Sequence, residues 1–149
     1  MTVKVLLFAS IILVAISMAA TWAHLLEMPA KLTLSRSEYF TVQQIYRGWA
    51  WLGVIIFSAL ASTSALAVLT RPDRILVRGA AASTACIVLA LIVFFSFTFP
   101  ANQATANWTV APDNWPVLRR QWEYAHAGEA LLYFAALIFL VVAAVSRRV

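Results

Sequence analysis

Three stretches of this chain run for about twenty residues or more without a charged side chain, and a fourth carries its charges only at its start. They are Val5 to Ala23, Trp49 to Leu69, Gly79 to Phe99, and a run from near Leu118 through Ala130–Val145. A helix needs about 20 apolar residues to cross the hydrocarbon core of a bilayer. Composition agrees: 63% of the 149 residues are hydrophobic and 11% are charged, against about 45–50% and about 25% in an average soluble domain. A domain of this length buries only about 70% of its surface, so such an apolar surplus excludes a water-soluble globular enzyme. Disorder is excluded too, because it needs low hydrophobicity and high charge. The one cysteine, Cys86, lies inside an apolar run and can form neither an internal disulfide nor a cysteine zinc site.

The expected fold is all-α, a single membrane-embedded domain over residues 1–149 folded as an up-down-up-down four-helix bundle. The helices are expected at about 3–28, 44–70, 75–99 and 117–146. Pro29 is expected to close the first, the Thr70-Arg71-Pro72-Asp73 turn the second and Pro100 the third. The first apolar run resembles a signal peptide in its Lys4 and its small residues near Ser17–Ala20, but it is long for one and is read as a retained helix. Orientation follows Lys and Arg near the span ends. Lys4, Arg71, Arg74, Arg78, Arg147 and Arg148 fall on one side, and Lys31, Arg36, Arg47, Arg119 and Arg120 on the other. This favours a plasma (inner) membrane protein with both termini cytoplasmic. Basic residues scattered over helix ends make no nucleic-acid face. The expected surroundings are the lipid bilayer, a hydrophobic small molecule, and a second copy or a membrane-complex partner.

Polar chemistry gathers at the outer ends of the helices. His24, Glu27, Arg47, Asn102, Arg119, Arg120, Glu123 and His126 lie there, with all six tryptophans at the same level. A girdle at the membrane interface accounts for some of these indoles, and the walls of an aromatic pocket account for others. Trp49, Pro100, Trp115, Trp122 and Arg119 are the candidate pocket residues. His24 and Glu27 are three residues apart on the first helix, and Glu123 and His126 three apart on the fourth, so each pair shares a face. Glu-x-x-His on facing helices is how bundles build metal–carboxylate sites. His24, Glu27, Glu123 and His126 are therefore candidate ligands for one transition metal ion, with iron, copper and zinc all compatible. The same residues could instead bind a ligand and move protons without metal, or form a structural ion-pair network. Glu129 lies nearly a turn deeper than His126 and is set aside as a ligand. Asn102 and Tyr46 are candidate oxygen-orienting groups, and His126 is the candidate base, imidazole having an ordinary pKa near about 6.5.

Four segments together carry a family resemblance: Ala23–Leu32, Ile45-Tyr46-Arg47-Gly48-Trp49, Phe97–Thr105 and Asn114–His126. They resemble a small four-helix membrane family, largely of unknown function, that includes the anthrone oxygenase-like proteins. The most specific elements are Pro100-x-Asn102 and the Leu118-Arg119-x-x-Trp122-x-x-x-His126 that opens the last helix. The resemblance spans nearly the whole chain and implies oxygenation of an activated aromatic carbon without an organic cofactor. The residues it carries over are Pro100, Asn102, Trp122 and His126. The expected activity is an oxidoreductase acting on an aromatic or quinone-like molecule; the alternative is a non-catalytic subunit or lipid-binding partner of a larger complex.

Overall fold

The computed structural model describes residues 3–146; Arg147 and Arg148, counted above for orientation, lie outside that range. Helix α1 spans Val3–Lys31, α2 Arg36–Gln43, α3 Leu52–Leu69, α4 Arg74–Val93, α5 Phe99–Ala104 and α6 Trp115–Val145. Two short 3-10 turns, Gln44–Tyr46 and Trp49–Trp51, lead from α2 into α3, and a π-turn at Phe94–Thr98 joins α4 to α5. No strand occurs among the described residues. The four rods α1, α3, α4–α5 and α6 are each long and apolar enough to cross a bilayer. Helix α1 packs on α3 and α6, and α4 packs on the same two. The result is an up-down-up-down bundle in which the first and last rods are neighbours.

The rods differ in length. At about 1.5 Å per residue, the 29 residues of α1 and 31 of α6 reach roughly 44–46 Å, well beyond a hydrocarbon core of about 30 Å. Their extra turns therefore project to headgroup level, where charges are affordable. The outward faces are apolar, with Phe8, Ile12, Phe57, Phe95, Leu131 and Val142 exposed, as lipid contact requires. The seam between α4 and α6 is closed by small residues. A Cβ on Gly79 would fall 2.4 Å from the Ala143 Cβ and 2.7 Å from the Phe139 carbonyl oxygen. The small-residue run of α4 is thus used inside the bundle, where close backbone approach drives helix packing in lipid.

Two proline expectations need correction. Helix α1 continues through Pro29 to Lys31, although the ring leaves the Leu25 carbonyl without its usual donor. The third rod likewise passes Pro100 and ends at Ala104. There the π-turn widens the helix just before the ring, so that the Phe99 N–H reaches back to the Phe94 carbonyl and the clash of proline with the preceding turn is relieved. Gln121 of α6 donates to the Phe97 carbonyl at 2.9 Å, tying the widened turn to its neighbour.

Local signals fix the connections. Asp73 caps α4 by accepting from the Leu76 N–H at 3.0 Å. Ser35 and Glu38 form a reciprocal capping box that starts α2. The Ser35 hydroxyl and N–H hold the exposed Glu38 carboxyl below the usual carboxylate range. A second apolar cluster of Tyr39, Ala101, Trp108, Leu118 and Trp122 then seats α2 and the loops on the end of the bundle.

Candidate functional site

Trp122 divides the polar end of the bundle into two halves. Behind it lies Lys31, the last residue of α1, with only 3% of its surface exposed. Its ammonium sits 2.9 Å from Glu123 Oε1 and 3.9 Å from Glu27 Oε2, and it donates to the Tyr46 hydroxyl at 3.2 Å. It also lies 4.5 Å from the Trp122 ring centroid and 4.8 Å from that of Tyr46, within cation–π range. Tyr39 donates to Glu123 Oε1 at 2.8 Å and accepts from Gln43 at 2.5 Å. Tyr46 donates to Glu27. Burial, followed by the negative charge and hydrogen bond of Glu123, pushes the Tyr39 phenol well above its ordinary pKa. Burial and Glu27 do the same to Tyr46. Helix spacing explains the convergence: Glu27 and Lys31 are one turn apart on α1, and Glu123 comes from the adjacent face of α6.

In front of Trp122 lies a cavity of about 810 Å³ between the four rods, within the range of about 300–1,000 Å³ typical of ligand sites. Its walls are mostly apolar, with Ile56, Phe57, Leu91 and Phe94 contributing. One wall is polar and is made by His24, His126, Glu129 and Thr98. The imidazoles of His24 and His126 are stacked, with centroids 4.3 Å apart and planes 24° apart. The Trp122 ring meets them edge-on at 4.9 and 4.2 Å. Nδ1 of both histidines is buried without a hydrogen bond. That of His126 lies 3.2 Å from Glu129 Oε2, off the line a hydrogen bond needs. The other Glu129 oxygen accepts from Thr98 at 2.8 Å. Both Nδ1 atoms are enclosed, and it is the placement of the two stacked rings and Glu129 together on the wall of the cavity that gives a ligand polar groups to meet there.

Asn102 organises the loop end. Its Oδ1 accepts from the indole N–H of both Trp108 and Trp122 at 2.9 Å. Because an indole only donates, this leaves the amide NH2 as the group's remaining donor. Trp108 reaches Asn102 through an unusual loop in which Ala106, Asn107 and Trp108 all have positive φ, at 45°, 55° and 62°. Left-handed backbone costs roughly 1–2 kcal/mol per non-glycine residue. Hydrogen bonds that hold it include those from Asn107 N–H to the Asn102 carbonyl at 2.7 Å, from Trp108 N–H to Thr105 Oγ1 at 3.1 Å and from Gln44 to the Trp108 carbonyl at 2.8 Å.

The residues expected from sequence separate accordingly. His24, His126, Asn102, Tyr46, Trp49 and Trp122 all line the cavity. Pro100, Trp115 and Arg119 do not. Pro100 sits within the third rod, where it shapes the helix. Trp115 packs against Tyr39 and Phe40, and Arg119 lies over the Trp115 and Tyr39 rings while donating to the Leu34 carbonyl at 2.8 Å. The proposed ligand set of His24, Glu27, Glu123 and His126 does not assemble. Lys31 occupies the space between the two carboxylates and pairs with both, while the imidazoles face the other side of Trp122. No three His, Cys, Asp or Glu side chains among the described residues are placed to share a metal ion. The donor set does not fit a metal centre, and no step is derived through one. Glu129, set aside from sequence as too deep, is the carboxylate that meets His126. Lys31 was read only as an orientation charge, yet its spacing of seven from His24 and four from Glu27 puts all three on one face.

Comparison with known proteins gives no match to a protein-family model, a curated protein or a solved structure.

Proposed function

We propose that this chain is a membrane-embedded oxidoreductase that takes a lipophilic aromatic or quinone-like molecule into the cavity and uses His126 as proton acceptor. The observation that carries the reading is the cavity itself: about 810 Å³ of mostly apolar space with the imidazoles of His24 and His126 and the carboxyl of Glu129 together on one wall, and polar loop residues such as Gln44, Arg47 and Asn107 at one end. Such a site suits a flat hydrophobe with one polar edge. The resemblance to anthrone oxygenase-like proteins supplies the reaction class. A diaryl methylene flanked by a carbonyl is acidic enough to lose a proton to imidazole. The resulting carbanion reacts with dioxygen, and loss of water leaves a carbonyl, so that Ar2CH2 and O2 give Ar2C=O and H2O. His126 takes the first proton, Glu129 holds its positive charge, and Asn102 Nδ2 donates to the substrate oxygen. With both termini cytoplasmic, the cavity lies in the outer leaflet.

Anthrone, incubated with detergent-purified protein in aerated buffer, tests this through quinone absorbance and dioxygen uptake. The expected result is stoichiometric uptake that falls at least about tenfold in His126→Gln, a floor below the usual 10²–10⁴ contribution of acid–base catalysis. A folded His126→Gln variant with undiminished turnover would remove His126 from the mechanism. A wild type that neither oxidises anthrone nor binds a quinone ring, followed by tryptophan quenching, would remove the reading altogether.

A further inference from the structure

We infer that the molecule taken up carries an aliphatic tail, which leaves the cavity past Trp49 and lies in a groove on the lipid-facing side of α1 and α3. The inference rests on the cavity being a ligand site and specifies what kind of ligand fits it. The groove, of about 460 Å³, is walled on its own side by Ile16, Ala19, Trp51 and Ile55. Its remaining walls, Ala20, Gly48, Trp49 and Leu52, are also walls of the cavity. Two compartments separated by the same four residues are one side chain apart, and two of the four, Ala20 and Gly48, bring almost no side chain to the partition.

The partition is therefore the Trp49 indole together with the Leu52 side chain. On its inner side Trp49 stands edge-on to Tyr46 at 5.0 Å and tilted against His24 at 5.4 Å. Its backbone follows Gly48 at φ +93°, a conformation that turns the chain sharply into α3 and that other residues rarely adopt. At the loop end, by contrast, the cavity is lined by Gln44, Arg47 and Asn107, a polar roof that offers nothing to a hydrocarbon. A ring seated against His24 and His126 meets lipid-exposed apolar residues, Phe57, Phe95 and Phe99, between α3 and the third rod, but the side between α1 and α3 is where a groove continues the cavity and can hold a substituent along its length. There, the tail trades lipid chains for Ile16, Ile55 and Trp51 with little net change in free energy, because lipid is as apolar as the groove. The groove's role is to let the tail out, so that a tailed molecule can enter from the bilayer and seat its ring.

The test uses tryptophan quenching by two probes, a dimethoxy-methyl-benzoquinone without a tail and the same ring bearing a decyl tail. Wild type and variants are compared at one detergent concentration so that partitioning cancels. Ala19→Phe fills the groove without touching the cavity, since Ala19 lines only the groove. Wild type is expected to bind both probes. Ala19→Phe is expected to weaken the decyl quinone at least about tenfold, as overpacking a filled site does, and to leave the tailless ring within about twofold. If Ala19→Phe fails to insert, Ile16→Trp narrows the same groove and repeats the measurement. Equal binding of the decyl probe by wild type and variant would mean that the groove holds ordinary lipid and would overturn the inference. So would a wild type that binds the tailless ring alone, while leaving the cavity a ligand site. Binding of neither ring would sink the inference together with the function it rests on.

Discussion

The two sides of Trp122 solve the problem of polar groups in a membrane protein in opposite ways. On the Lys31 side, every charge has an opposite charge or an aromatic face against it, and Lys31, Glu123 and Tyr39 are almost wholly enclosed, although Gln43 Oε1, Arg119 Nε and Glu123 Oε2 also lack a hydrogen bond. On the His24–His126 side, two imidazole nitrogens are buried without hydrogen bonds beside a cavity of about 810 Å³. Charges paired inside a closed space hold a structure together, whereas polar side chains that border open, mostly apolar space are available to a ligand. The difference assigns stability to the first side and ligand chemistry to the second, although both draw their residues from the same turns of α1 and α6. Substitutions should separate the two roles.

The largest effect is expected for Lys31→Met. Removing the ammonium leaves Glu123, 1% exposed, as a buried carboxylate with only Tyr39 to support it. Breaking a buried ion pair from one side costs about 3–5 kcal/mol. Thermal unfolding of the detergent-solubilised protein should show the loss. The double variant Lys31→Met, Glu123→Leu should recover most of it, since replacing both partners by apolar groups is often close to neutral. Quinone binding by the double variant should stay near wild type. If Lys31→Met unfolds no earlier than wild type but abolishes quinone binding, the assignment of roles is reversed.

Asn102→Ala is expected to be smaller and to register on both sides. Asn102 anchors Trp122, the shared wall, and Trp108 above it. Two indole donors lose their acceptor, and because both hydrogen bonds are only part-buried each loss falls at the low end of about 1–3 kcal/mol, so melting should shift by less than in Lys31→Met. Binding should weaken as well, because the Trp122 ring that steers both imidazoles is released. Unchanged binding with a lowered melting temperature would make Asn102 a residue of the closed side only.

Much of this division was legible in the sequence, and the rest was hidden for physical reasons. The four rods and their cyclic packing followed from hydrophobic length and turn residues. The polar end, and His24, Asn102, Trp122 and His126 within it, followed from depth along each helix. What depth could not give was the side of Trp122 on which each residue falls. Glu27 and Glu123 share a level with the histidines, yet Lys31 draws them away, because its ammonium sits between the two carboxylates and attracts both strongly in low dielectric. Glu129 was set aside for its depth, although its spacing of three from His126 already put the two on one face of the last helix. The π-turn at Phe94–Thr98 sets Thr98 against Glu129, and a widened turn leaves no hydrophobic-periodicity signal beyond the proline that follows. Pro29 and Pro100 were read as stops because proline ends most helices in water. In a long membrane rod, the neighbouring helix and a π-turn absorb the lost hydrogen bond.

The smallest effect at neutral pH belongs to the tyrosines of the closed side, and it grows only in alkali. In the unfolded chain a phenol loses its proton near pH 10. Folded Tyr39 and Tyr46 hold theirs to higher pH, through burial first and then through Glu123 and Glu27 respectively. Above about pH 10 the unfolded state therefore binds fewer protons than the folded one, and stability falls as pH rises. Below that pH the contribution is fully present and the melting temperature should be insensitive to these groups. Melting followed from neutral to strongly alkaline pH, with tyrosinate absorbance recorded alongside, should show Tyr39 and Tyr46 ionising only as the fold is lost. The variant Tyr39→Phe, Tyr46→Phe should flatten the alkaline slope, at the cost of a lower plateau because Glu123 and Glu27 each lose a donor. An alkaline slope unchanged by the double substitution would place the pH-sensitive groups elsewhere and would leave Lys31 and its carboxylates as the whole of the closed side's contribution.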